Sequence, residues 1–343
     1  MKKMIRLYIV IVSCLCFVAC DMRELCYDHD SHAYKYQVNI VADYEQEWQY
    51  PLTPTKDWKE NWPDTFDVRY SDLMPILPSG LRVMIYDSLR YDRQNIGRDG
   101  GLVYLTELEK SFIICNNNTE AVVFVDEKDK EKVSVTTRAI RRNSYGGSSY
   151  IQLKDVNTKT EPDVLYVNYI PSYVPISTIK PVDVSVLLKP VVYTYYIRYE
   201  FEYGIEHVVL ARGALAGMSG SVNLQTQEPG NDLATVMYDA KKKSFGVDAN
   251  VNSFGLPHDL TDLGMQLDGG EYACGLNLEV ALTNGDIKTF EFDVTDQVVS
   301  QPRGGVIVVK GLRVEDEEAE GELEGGQVEV DDWGPYEDII IDF

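Results

Sequence analysis

The chain has 343 residues, with 55 acidic side chains against 32 basic ones and a formal net charge of −23. That length allows two domains of ordinary size, and a field of that sign excludes nucleic acid and anionic headgroups as partners. Six cysteines, at 14, 16, 20, 26, 115 and 274, have neither the spacing of a disulfide framework nor the CxxC pattern of a zinc or redox site.

In chain order, Lys2, Lys3 and Arg6 precede an apolar run, Leu7 to Val18. A basic start followed by such a run is an export signal, and it falls short of the roughly 20 residues a bilayer span needs. The small Ala19 suits cleavage, so the signal peptide is expected over 1–19. Phe17-Val18-Ala19-Cys20 resembles a bacterial lipobox, which makes Cys20 the expected lipid-attachment (diacylglycerol, palmitate) residue. Ile11-Val12-Ser13-Cys14 has the same spacing, but cleavage there leaves too short an apolar core. Losing 1–19 removes three positive charges, taking the net charge to −26 over 324 residues. Two or three acyl chains anchor stably where one does not. Residues 20–33 then read as a tether, with His29 and His32 in YDHDSH weighed as a metal site and set aside.

Tyr34, Tyr36, Val38 and Ile40 alternate as a first strand, and Leu81, Val83 and Ile85 as another. Between them, Tyr50 to Asp72 is polar and irregular and carries Trp58 and Trp62, just after Trp48. Asp126 to Ser149 reads as a long, protease-accessible loop. Prolines at 181 and 190 mark a domain boundary near 186. In VVYTYYIRYEFEYG, Val191 to Tyr203 alternate on one face against Arg198, Glu200 and Glu202, the pattern of a half-buried strand. Glu206 to Leu215 is the best helical candidate. Leu276 to Leu282, Asn284-Gly285 and Phe290 to Val294 predict a hairpin. From Val314 to Phe343 there are 13 acidic residues and no basic ones. That stretch is expected to be a solvated loop before a last strand at Ile339–Ile341. It lacks the D-x-D-x-D-G order of a calcium loop.

No catalytic constellation emerges, and no cofactor or metal is expected. His207 and His258 lack a zinc-ligand context. Ser219 in GALAGMSGSV misses the G-x-S-x-G spacing of a nucleophile elbow and reads as part of a tightly packed Gly/Ala turn. Cys115 and Cys274 read as small buried residues. Most of the 23 tyrosines fall in strand patterns and are expected in the core.

LPSGLRVMIYD, SFIICNNNTEAVVF, LLKPVVYTYYIRYEFEYG and ARGALAGMSGSVNL, together with the lipobox, resemble the fimbrillin-like lipoproteins of Bacteroidota. More narrowly they resemble a branch known only as a domain of unknown function. The resemblance implies an all-β chain of two tandem transthyretin-like, Greek-key β-sandwich domains, here 34–186 and 187–343. It also implies outer-membrane anchoring at the cell surface and a non-catalytic role in adhesion or in a pilus. The partners implied are other pilus subunits or a surface ligand. Polymerising members are cut after an arginine that follows the first strand, and another subunit's strand fills the groove. Between Arg23 and Arg69 this chain has no arginine, so an uncut anchor or accessory subunit is expected. The alternative is a glycan-binding lipoprotein of a polysaccharide uptake system, which predicts exposed aromatics at Trp48, Trp58 and Trp62.

Overall fold

The period-two segments pair into sheets almost wherever the sequence places them. The computed structural model describes residues 36–47, 57–141, 157–259, 266–267, 270–320 and 337–338. The signal, Cys20, Cys26, His29, His32, Trp48, the RNSYGGSS stretch and Ile339–Ile341 lie outside them.

The strands are β1 (Gln37–Tyr44), β2 (Gly80–Tyr86), β3 (Tyr91–Gly97), β4 (Gly100–Tyr104), β5 (Lys110–Asn116), β6 (Val122–Val125), β7 (Ser134–Thr137), β8 (Ile140–Arg141), β9 (Asn157–Thr160), β10 (Tyr166–Tyr173) and β11 (Val182–Pro190). They continue as β12 (Tyr193–Tyr203), β13 (Val208–Ser219), β14 (Ser221–Asn223), β15 (Leu233–Lys243), β16 (Gly246–Ser253), β17 (Gln266–Leu267), β18 (Gly270–Glu271), β19 (Gly275–Leu282), β20 (Ile287–Asp293), β21 (Gly305–Arg313) and β22 (Glu337–Asp338). Two short helices, α1 (Thr295–Val299) and α2 (Asp316–Ala319), flank β21.

The expected all-β class holds. Its first sheet closes into a barrel, in the order β1-β11-β10-β5-β2-β3-β4 and back to β1. Val38, Ile40, Leu81, Val83, Ile85, Phe112, Ile114 and Tyr166 fill the interior. The first strand is held on both sides: Val38–Tyr44 runs parallel to Val182–Leu188, and Gln37–Val41 runs antiparallel to Gly100–Tyr104. β11 passes through residue 186 and belongs to the barrel along its length.

The second sheet runs β20-β19-β13-β15-β16-β12-β21, with β9 added beside β15. β9 lies in the N-terminal half of the sequence, so the chain crosses between the sheets more than once. Beneath the barrel, the outward Met84, Tyr86, Ile113 and Cys115 pack against Val135, Val222, Leu224 and Phe254. This junction includes the small sheet β14-β7-β6. The segment after Asp126 is therefore not one long loop: Val133 and Val135 are buried and β7 pairs with both β6 and β14.

Glu206 to Leu215 is not a helix. Only Ile205–His207 makes a helical turn, and Val208–Ser219 is a strand between β15 and β19. Its residues from Ala211 onward are buried whichever face they take, so the apolar run needs no period of two. Gly213 lies directly under the Tyr238 ring, where a Cβ would come within 2.3 Å. The predicted hairpin is present, with Gly285 at φ +88° in the turn between β19 and β20.

Candidate functional site

The β2–β3 turn begins with Asp87. Its Oδ1 accepts the amides of Leu89 and Arg90, both at 2.8 Å, the local pairing that makes Asp favourable in turns. Directly across the sheet, Lys110 opens β5 and donates Nζ–H to Asp87 Oδ2 and, at 2.6 Å, to Thr106 Oγ1. Both side chains are buried. Burial alone would raise the Asp87 carboxyl, but Lys110 and the two turn amides outweigh it and hold it below the usual range.

The loop after β6 is clamped beside this turn. Glu127 takes Arg82 on Oε1 at 3.0 Å, and Tyr91 and Arg93 on Oε2 at 3.2 and 3.4 Å. The Tyr86 hydroxyl donates to the Glu127 carbonyl at 2.8 Å. The Tyr86 and Tyr91 rings meet at 5.2 Å. Burial, reinforced by Glu127, pushes the Tyr91 hydroxyl up to about 12, so it stays a donor.

Between the turn, the approach to β5 and the clamped loop lies a cleft of about 1000 Å³, bordered by Arg90, Tyr91, Lys110, Lys130, Glu131 and Pro171. Its buried charges are already engaged with each other. Among the described residues its lining holds no hydrogen-bonded nucleophile–base pair. No motif search would have found Glu127, because its partners on β2 and β3 are more than 30 residues away in sequence.

The residues singled out from sequence fall elsewhere. Ser219 is buried, with Oγ 2.7 and 2.8 Å from the carbonyl oxygens of Ser221 and Gly230, so it pins a turn. Its setting is closely packed, as expected, but at the end of a central strand rather than in a turn. His207 Nε2 lies 2.9 Å from Asp316 Oδ1, whose other oxygen takes the Tyr203 hydroxyl at 2.5 Å. His258 sits 3.8 Å from Glu228. Among the described residues no group of His, Cys, Asp and Glu is arranged to hold a metal ion. Cys115 and Cys274 are free and buried, and burial pushes both thiols up to about 12.

Trp58 and Trp62 are not an exposed aromatic face. Trp58 is 4 % exposed and Trp62 half-buried, packed with Phe66, Tyr70 and Tyr196. The Trp62 indole N–H donates to the Val68 carbonyl at 2.8 Å. This irregular segment covers the second face of β12, which is why Arg198 is buried rather than solvated. Its guanidinium stacks 3.3 Å from the Phe245 ring centre and bonds Glu200 at 2.8 Å.

A family model described as a domain of unknown function, DUF5119, matches residues 66–239. No curated protein sequence matches the chain. Among solved structures, an adhesin candidate from Bacteroides ovatus ATCC 8483 superposes with a TM-score of 0.54 at 19% identity, covering 87% of this chain and 99% of that one. Another, from Bacteroides thetaiotaomicron VPI-5482, gives 0.45 at 9% identity, covering 82% and 93%. The fimbrial anchor protein Mfa2 from Porphyromonas gingivalis gives 0.41 at 10% identity, covering 80% and 90%. The first of these likenesses shows a shared fold.

Proposed function

The chain belongs to the DUF5119 family of domains of unknown function, and from that premise we propose that it is a non-catalytic, lipid-anchored surface protein, an adhesin or the accessory or anchor subunit of a pilus. The observation that carries this reading is the shared fold with the Bacteroides ovatus adhesin candidate, which takes in 99% of that chain. In this reading residues 1–19 direct export, Cys20 carries the lipid, and 20–33 form the tether. The two β units, expected as transthyretin-like domains in series over 34–186 and 187–343, then stand outside the outer membrane. Their partners are other pilus subunits or a ligand on a host or microbial surface. A first strand paired along both edges supports a subunit that keeps that strand.

The test is protease treatment of intact cells, with adherence of a deletion strain measured in parallel. Digestion on whole cells and reduced adherence or piliation on deletion are expected. A chain shielded until the outer membrane is permeabilised would overturn the surface role.

A further inference from the structure

Among the described residues the last strand of the second sheet, β21, pairs with β12 alone, and so presents its other backbone edge to whatever lies beside it. Such an edge is a template for an added strand. Here two glutamine side chains occupy it. Gln301 accepts the Val306 amide on Oε1 at 2.9 Å and returns Nε2–H to the Val306 carbonyl at 3.0 Å. Gln297 does the same at Val308, accepting at 2.9 Å and donating at 3.2 Å. Each primary amide thus reproduces the paired donor and acceptor that a neighbouring strand's backbone would offer.

The spacing explains how a helix does this. Residues four apart on a helix lie about 6 Å apart along its axis. Alternate residues on a strand, which point the same way, lie about 6.7 Å apart. Gln297 and Gln301 therefore match Val308 and Val306, running antiparallel to β21. The device is reinforced from two sides. The Trp58 indole donates to Gln301 Oε1 at 2.5 Å, and the Gln301 amide also reaches the Gln297 carbonyl at 3.0 Å. Gly305 leaves the room: a Cβ there would stand 2.1 Å from Gln301 Oε1. Beyond Val308, Gly311 at φ +81° marks a shift in register that bends the remaining edge.

We infer that α1 and the turn after it form a side-chain edge strand, and that it closes the second sheet to strand addition by another copy of this chain. The inference deepens the proposed accessory or anchor role, because a subunit closed at this edge ends an assembly there rather than propagating it.

The test uses the mature chain and compares wild type with Gln297→Ala/Gln301→Ala and with Gly305→Ala, which displaces the latch while keeping both glutamines. Backbone hydrogen exchange and sedimentation are the readouts. In wild type the Val306 and Val308 amides should be protected and the chain monomeric. In the folded variants those two amides should exchange about tenfold faster or more, and the chain should self-associate with rising concentration. If the alanine pair fails to fold, Gln297→Glu/Gln301→Glu keeps the acceptors and removes the donors, and the same association is expected. Folded variants that expose these amides yet stay monomeric would overturn the inference. So would a wild type that already associates through β21. Neither result bears on whether the protein is surface-exposed, which whole-cell digestion reads separately.

Discussion

At the scale of single residues, enclosure decides roles that sequence alone leaves open. Glu161, on the connection from β9 to β10, accepts the Asn252 amide of β16 at 3.0 Å. Burial raises its carboxyl to about 7 against the pull of that amide, with Asp239 adding to the rise. The folded chain therefore keeps a proton that the unfolded chain releases near pH 4.5. Stability from this group is full below that pH and is lost as pH rises through 7. Glu161→Gln should remove the dependence, gaining about 2–3 kcal/mol over wild type between pH 5 and pH 8 in paired denaturant titrations. Trp58 is the second case. Composition marked it as a candidate sugar platform, and its neighbours make it a core residue. Trp58→Ala should cost about 3–5 kcal/mol of unfolding free energy. A fully stable Trp58→Ala chain would contradict its place in the core. The buried thiols were legible from FIIC and YACGLNL, because a cysteine closing an apolar run is most often packed.

At the scale of elements, strands marked by alternation or turn residues were legible, even where, as in β2 and β19, both faces are buried. β1, β2 and the β19–β20 hairpin follow their alternation and turn residues. β13 was misread because HVVLARGAL has apolar residues at helical as well as strand spacing, and only its place between β15 and β19 decides the matter. β12 was read with the right buried face, but its other face is covered by a segment more than 120 residues earlier. Such long-range cover leaves no local pattern. The glutamine latch on β21 was equally invisible, since nothing in QVVSQ marks side chains that take a strand's place. Where β4 meets β1, Gly100 sits at φ +114° with the Ile40 carbonyl oxygen 1.9 Å from where a Cβ would stand. Gly100→Ala should therefore destabilise the chain by about 2 kcal/mol or more through strain at this seam. Chemical denaturation reads the loss, and exchange at the β1 amides reads its location.

At the scale of the whole molecule, the expected membership of a domain-of-unknown-function family holds, and the all-β class with it. The way the sheets close was not readable from pattern. A barrel requires β4 to return to β1 and β11 to run parallel beside it, and neither pairing leaves a trace in composition. That closure bears on maturation. Arg69, the first arginine after β1, has its side chain largely exposed and paired with Asp72. A cut there would leave β1 bound along both edges, and the proposed anchor role requires a subunit that keeps this strand. The measurement that tests this account most directly is the intact mass of the protein extracted from the membranes of its own cells. The account predicts one chain that begins at Cys20, carries acyl groups and continues unbroken past Arg69. A mature surface chain that begins after Arg69, without lipid and without β1, would contradict it.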